Sequence, residues 1–263
     1  MNQAKTHPVI KQIGYHPEGK ATMSALAGNL AGKSVLIIGR GTGIAGAIAQ
    51  AVREAGGSVI AAGPSPDALA GSYRGTGTRV EAVDITDEAS VAELAAAAGG
   101  VDHVVSAASA RARGGYADLT APLVAASLAA KVIGPLLLAK HFAAKLPPDG
   151  SFLFMSGATA LKPAPGMLAV AATNAAVDTL TAGLAVELAP VRVNAIAPGT
   201  IDTGAYDALG PERKAALFAA RSASNPARRI GTPQDIATVA LMALTSGFLT
   251  GVTIPVDGGE HLV

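Results

Sequence analysis

From Gly32 onward, short apolar runs alternate with longer amphipathic or alanine-rich segments. The runs Ser34–Ile38, Ser58–Ala62, Arg79–Val83, Val101–Ser106, Ser151–Met155, Arg192–Ala197 and Thr253–Val256 are of strand length. Most are rich in Val, Ile and Leu, as strands covered on both faces are. Between several of them lie helical patterns, notably Thr86–Ala98, Asp118–Lys145, Gly166–Leu188 and Pro233–Thr245. This alternation predicts an α/β fold: a doubly wound, parallel, seven-stranded sheet with helices on both faces, joined by right-handed crossovers.

Helix boundaries carry their own signals. Thr86 is placed to cap a helix whose first turn holds Asp87 and Glu88, acids that complement the positive end of the helix dipole. Thr232-Pro233-Gln234-Asp235 repeats the pattern, with Pro at the first helical position. Pro135 falls inside the long Asp118–Lys145 pattern and is expected to kink it or begin a new turn. Residues 1–30 show no period and read as an arm, disordered or draped on the domain formed by residues 31–263. The arm's His7 and His16 stand in polar surroundings and give no metal-site pattern.

Composition narrows the function classes. Half of the 263 residues are apolar but only 3% are aromatic, so the core is built of Ala, Val, Leu and Ile. A net charge of +1 leaves no electrostatic footprint for nucleic acid or an acidic membrane. Without cysteine, the chain has no disulfide, thiolate nucleophile or cysteine–zinc site, which suits a reducing cytoplasm. No uninterrupted apolar run reaches the roughly 18 residues of a membrane span, and residues 1–30 lack a signal-peptide apolar block.

The chemistry centres on Val35-Leu36-Ile37-Ile38-Gly39-Arg40-Gly41-Thr42-Gly43-Ile44-Ala45, a strand, a glycine turn and a helix start. Such a turn leaves backbone N–H groups where a phosphate can sit, with Gly39 allowing the tight turn and Gly43 the close approach of a pyrophosphate. The chain resembles the short-chain dehydrogenase/reductase family over Gly32 to Gly259. Gly39-Arg40-Gly41-Thr42-Gly43-Ile44-Ala45 matches its TGxxxGIG stretch, with Ile38 for Thr and Ala45 for the last Gly. Val83-Asp84-Ile85-Thr86-Asp87 matches its segment after the third strand. Asn194 to Thr203, with Pro198-Gly199-Thr200-Ile201, matches its NxxxPGxxxT stretch. Arg229 to Ala237 and Val256-Asp257-Gly258-Gly259 match its C-terminal segments.

That resemblance implies a Rossmann-like fold, a nicotinamide dinucleotide, and a Ser-Tyr-Lys set assisted by Asn for proton transfer to a reduced carbonyl. It also implies a cofactor site at Gly39, Arg40, Gly43, Ile44, Asp84, Ile85, Ser106, Ala107, Ala108, Pro198, Gly199, Ile201 and Thr203, with a substrate lid near 202–226. All four proton-relay positions differ from the family pattern. Counting from Ser151–Met155 puts Gly157 at the serine, Val170 at the tyrosine and Asn174 at the lysine, and the family's Asn is Lys131. The tyrosines, at 15, 73, 116 and 206, lie elsewhere. Asn and Lys thus exchange places, and the expectation is that Lys131 reaches Asn174 and the nicotinamide ribose, making these two the candidate catalytic pair and Asn174 also a cofactor-site residue. The family's NNAG stretch reads Ser106-Ala107-Ala108-Ser109.

The second strand ends Ala61-Ala62-Gly63-Pro64-Ser65, without the acid that binds the NAD 2′-hydroxyl. NADP(H) is therefore favoured over NAD(H), with Arg40 and Ser65 as partners of the 2′-phosphate. Tyr116, Asp118, Thr159, Lys162 and Tyr206 are further proton-transfer candidates by loop position, while His103 and His141 read as structural. Three readings stay open: an atypical NAD(P)-dependent oxidoreductase of a small carbonyl, imine or activated alkene; a non-catalytic NAD(P)-binding scaffold or sensor; and a non-redox enzyme in a refitted cleft. The long alanine-rich helices and the Val252–Val263 terminus resemble the family's dimer and tetramer surfaces, which implies a homodimer or homotetramer.

Overall fold

The computed structural model describes residues 29–263. Most of the 1–30 arm, with His7 and His16, lies outside the described residues. Seven parallel strands form one sheet: β1 (Ser34–Ile38), β2 (Ser58–Gly63), β3 (Arg79–Ala82), β4 (His103–Ser106), β5 (Ser151–Met155), β6 (Arg192–Pro198) and β7 (Thr253–Val256). Their order is β3-β2-β1-β4-β5-β6-β7. The order reverses between β1 and β4, and at that switch point the loops leaving neighbouring strands diverge and open a crevice.

Helices cover both faces. One core holds Leu36, Val104, Phe152 and Phe154 against Leu138, Phe142 and Val177. The other holds Val35, Ile37, Leu153 and Ile196 against Ile48, Val52, Ile236 and Ala240. Successive strand residues thus serve opposite cores, which is why the strands read as unbroken apolar runs. The helices are α1 (Gly43–Glu54), α2 (Pro66–Ser72), α3 (Glu88–Ala97), α4 (Ala121–Leu128), α5 (Gly134–Phe142), α6 (Leu168–Glu187), α7 (Pro211–Ser224) and α8 (Pro233–Thr245). At α8 the expected cap is present: Thr232 accepts from the Asp235 backbone, and the Asp235 carboxylate accepts from the Thr232 backbone N–H.

Three sequence expectations need correction. Asp87 rather than Thr86 caps α3, accepting from Ala89 N–H at 3.0 Å. Thr86 is drawn back instead to the Asp84 carboxylate, to which its N–H and hydroxyl both donate. The Asp118–Lys145 helix begins at Ala121, with Pro122 in its first turn, while Pro135 does begin a new turn, one of its two expected outcomes. Residues Ala129–Ile133 form a π-turn, and α5 restarts at Gly134 with Pro135 in its first turn, where a missing N–H costs nothing. Finally, Ala121–Lys145 and Leu168–Glu187 are long and apolar enough, by length and composition, to cross a membrane. In the fold both flank the sheet, and each buries part of its surface within the domain.

Candidate active site

The strand ends β1, β4, β5 and β6 and the loops leaving them enclose a cleft of about 560 Å³. Ile44 and Ala107 line it near the glycine turn, Met155 to Thr159 after β5, and Pro198 to Ile201 with Thr203 after β6.

The glycine turn is shaped for a phosphate. Gly43 has a left-handed φ of +59°, and a Cβ there would stand 3.3 Å from the Thr203 Cβ. Thr42, the residue before α1, makes no side-chain cap, so no capping side chain covers the N–H groups of the first turn. A Cβ on Gly39 would lie 2.9 Å from that of Ala45. Glycine at 39 is therefore what lets the family's last glycine be alanine here. These features fit a dinucleotide pyrophosphate.

Lys131 stands at the centre of a buried hydrogen-bond network on the cleft wall. The π-turn carries it inward until only 7% of its surface is exposed. Its Nζ donates to the Ser156 carbonyl at 3.0 Å and to Asn174 Oδ1. The amide nitrogen of Asn174 donates to Thr159 Oγ1 at 2.8 Å, and Ser156 Oγ donates to the Asn174 carbonyl. Burial, joined by the charge of Arg111 and opposed by Asp178, pulls the Lys131 pKa down from 10.5 to about 8. The expected Lys131–Asn174 contact is thus present, with both residues on the cleft wall. Gly157 and Val170 line the same wall. A Cβ on Gly157 would lie 2.5 Å from Asn174 Nδ2, so glycine at 157 is the space that the Asn174 side chain needs.

The remaining expected residues divide. Thr159, Lys162 and Tyr206 line the cleft, as do Pro198, Gly199, Ile201 and Thr203. Ser106 is buried at the end of β4, Ala108 packs against the core, and Ala107 N–H donates to the Ile38 carbonyl. Arg40 and Ser65 are exposed near the ends of β1 and β2, outside the cleft. The Asp84 carboxylate is turned to Thr86, and the Ile85 side chain is packed towards Gly134 in the core. Tyr116 is 84% exposed and, like Asp118, is absent from the cleft wall. His103 is buried against Ser151, and burial pulls its pKa down to about 4, which keeps it neutral and structural. His141 lies beside Glu88, away from the cleft.

The sequence reading missed Arg111, Arg113, Arg221 and Glu260, all cleft residues. Two arginines in the alanine- and glycine-rich stretch Ser106 to Gly115 were a visible signal for the first two. Glu260 bonds Thr200 and Arg221, which are brought to it from distant positions only by the fold. Among the described residues no cluster of His, Asp and Glu could hold a metal ion.

Comparison with known proteins places the chain. Residues 39–261 match the family described as enoyl-(acyl carrier protein) reductase. Oxidoreductase UcpA of Escherichia coli strain K12 is 33% identical over 261 residues, covering 89% of this chain and 97% of that protein. The short-chain dehydrogenase/reductase malC of Malbranchea aurantiaca is 30% identical over 262 residues, covering 89% and 96%. The crystal structure of a small-chain dehydrogenase in complex with NADPH superposes with a TM-score of 0.76 at 29% identity, covering 88% of this chain and 99% of that one. With the sheet order and the glycine turn, these matches establish that the chain belongs to the short-chain dehydrogenase/reductase family.

Proposed function

We propose that the protein is an NAD(P)-dependent oxidoreductase of a small carbonyl, imine or activated alkene in which Lys131 takes the place of the family's tyrosine. A reduced nicotinamide, when bound, supplies the hydride. The observation that carries the reading is the setting of Lys131. An ammonium has three N–H donors, and the Ser156 carbonyl and Asn174 engage two, leaving one for the cleft it lines. When the substrate oxygen or nitrogen gains negative charge, Lys131 donates that proton to it and becomes a neutral amine, which takes up a proton again from solvent. Its depressed pKa makes the amine form accessible near neutral pH, as a general acid requires. Asn174 and the Ser156 carbonyl orient the donor, and Thr159 orients Asn174.

NADP(H) is the proposed cofactor. The end of β2 offers no acid to repel a 2′-phosphate, and Arg40 and Ser65 stand exposed with no side-chain hydrogen bond to a described residue. A homo-oligomer is part of the reading, because Ile133, Leu136, Leu168 and Val186 leave apolar surface exposed around the two long helices.

Calorimetry with NADPH and NADH, followed by a turnover panel of ketones, imines and enones, tests this. NADPH is expected to bind more tightly than NADH. Lys131→Met is expected to lower turnover about 10²-fold or more while NADPH affinity stays within a few-fold. Full turnover in Lys131→Met would remove the lysine from the mechanism. Binding without turnover across the panel would favour the scaffold reading.

A further inference from the structure

The charged residues on the cleft wall do not balance. Glu260 is the one acidic side chain among them in the described residues, and it is already engaged. Its carboxylate accepts from Thr200 N–H at 2.8 Å, from Thr200 Oγ1 at 3.1 Å and from Arg221 at 3.0 Å. His261 likewise has its own acid, the buried Asp257. Lys131 spends two donors inward. Arg111, Arg113 and Lys162 are left, and among the described residues none of the three side chains has a hydrogen bond or an ion pair.

Their placement is specific. Arg111 and Arg113 lie on the loop from β4 to α4, and Lys162 on the loop from β5 to α6. Gly114 N–H donates to the Gly166 carbonyl at 3.0 Å, so the two loops are tied together. Neither is the loop after β1, where a dinucleotide's phosphates would meet the start of α1. Arg113 lies over the ring of Tyr206, 5.9 Å from its centroid, and Tyr206 packs edge-on against Phe218 of α7. This stacking joins the loop to the segment after β6. Arg111 lines the cleft and keeps an exposed surface there. Partial burial, together with the like charge of Arg113, pulls its pKa down. Two guanidiniums on one loop, with no carboxylate against either among the described residues, repel each other until an anion joins them.

We infer that the cleft recognises an anionic group on its substrate, a carboxylate or a phosphate monoester, gripped by the Arg111 guanidinium with Arg113 and Lys162 supporting. A guanidinium meets either anion through paired N–H donors, so the grip fixes orientation as well as charge. Held there, the substrate presents its reducible carbon to the part of the cleft lined by Lys131. Arg113 couples occupancy to the lid, because it stacks on Tyr206. The inference rests on the cleft being the substrate site, as proposed above.

Binding is measured without turnover, so it is separable from that reading. The full chain is titrated with benzoate, phenyl phosphate and the neutral benzamide, with and without NADP⁺. Benzoate or phenyl phosphate is expected to bind about tenfold or more tightly than benzamide, and the order of the two anions identifies the preferred group. Affinity is expected to fall about tenfold or more in Arg111→Met and to recover in part in Arg111→Lys, with NADPH affinity unchanged in both. Equal binding of benzamide, anion binding indifferent to Arg111→Met, or no binding of any probe at millimolar concentration would overturn the inference. So would loss of NADPH affinity in Arg111→Met with anion preference intact, which would assign the arginine to the cofactor.

Discussion

Returning the family's serine to position 157 should damage this protein. Gly157 has an extended backbone, with φ 174° and ψ 150°, so a side chain there brings no conformational strain. The cost comes from contact. The new Cβ would stand 2.5 Å from Asn174 Nδ2 and 3.2 Å from its Cγ. Comfortable separation is about 3.5–4.0 Å, so the amide must retreat by about 1 Å. That movement breaks its bond to Thr159, worth about 1 kcal/mol, and its bond to the Lys131 ammonium, worth about 1.5–3 kcal/mol. A loss of about 2–4 kcal/mol corresponds to a fall in Tm of roughly 5–15 °C for a chain of this size. Denaturant unfolding and calorimetry of Gly157→Ser read this directly. Gly157→Ala should lose nearly as much, because the Cβ rather than the hydroxyl makes the clash. Asn174→Ala in the same chain should relieve it, with a coupling of about 1–3 kcal/mol in the double-mutant cycle. An unchanged midpoint in Gly157→Ser, or no relief from Asn174→Ala, would refute the reasoning.

Three other predictions concern buried cations. Lys131 has its pKa lowered from 10.5 to about 8, so the unfolded chain holds that proton more tightly than the folded one. The resulting cost of about 3 kcal/mol is present in full below pH 8 and is relieved as pH rises from 8 towards 10.5. Stability of Lys131→Met should vary less across that window than wild type in pH-resolved denaturant titrations. Under the proposed mechanism, in which the ammonium donates the proton, reductive turnover should fall above pH 8 while the oxidative direction gains. Arg192, buried in β6, donates to the carbonyls of Ala243, Leu244 and Leu249 at the end of α8 and beyond. Arg192→Met should therefore lower stability by about 2–4 kcal/mol in guanidinium unfolding, leaving NADPH affinity intact in the folded protein.

The amino-acid sequence by itself determined the sheet. Central strands buried on both faces are apolar throughout, so Ser34–Ile38 and Ser151–Met155 were legible to the residue, and the half-buried edge strand Thr253–Val256 was legible from its short apolar run after the last helical pattern. The glycine turn was legible too, because a left-handed φ at Gly43 restricts residue type locally. Local competition misplaced the α3 cap, since Asp84 and Asp87 both lie within reach of one short turn and only the folded geometry shows which partner Thr86 takes. The site needed the tertiary structure. Lys131 and Asn174 were recognisable as an exchanged pair, but their contact depends on a π-turn rotating Lys131 inward and on glycine at 157 leaving room for the amide. The unbalanced cations were out of reach for a different reason. A charge is uncompensated only relative to every acid near it in space: the fold brings Glu260 to Arg221, Asp257 holds His261 within the same turn, and among the described residues no acid reaches Arg111, Arg113 or Lys162. Sequence fixes which charges exist; the arrangement of loops around the strand ends decides which of them still lack a partner.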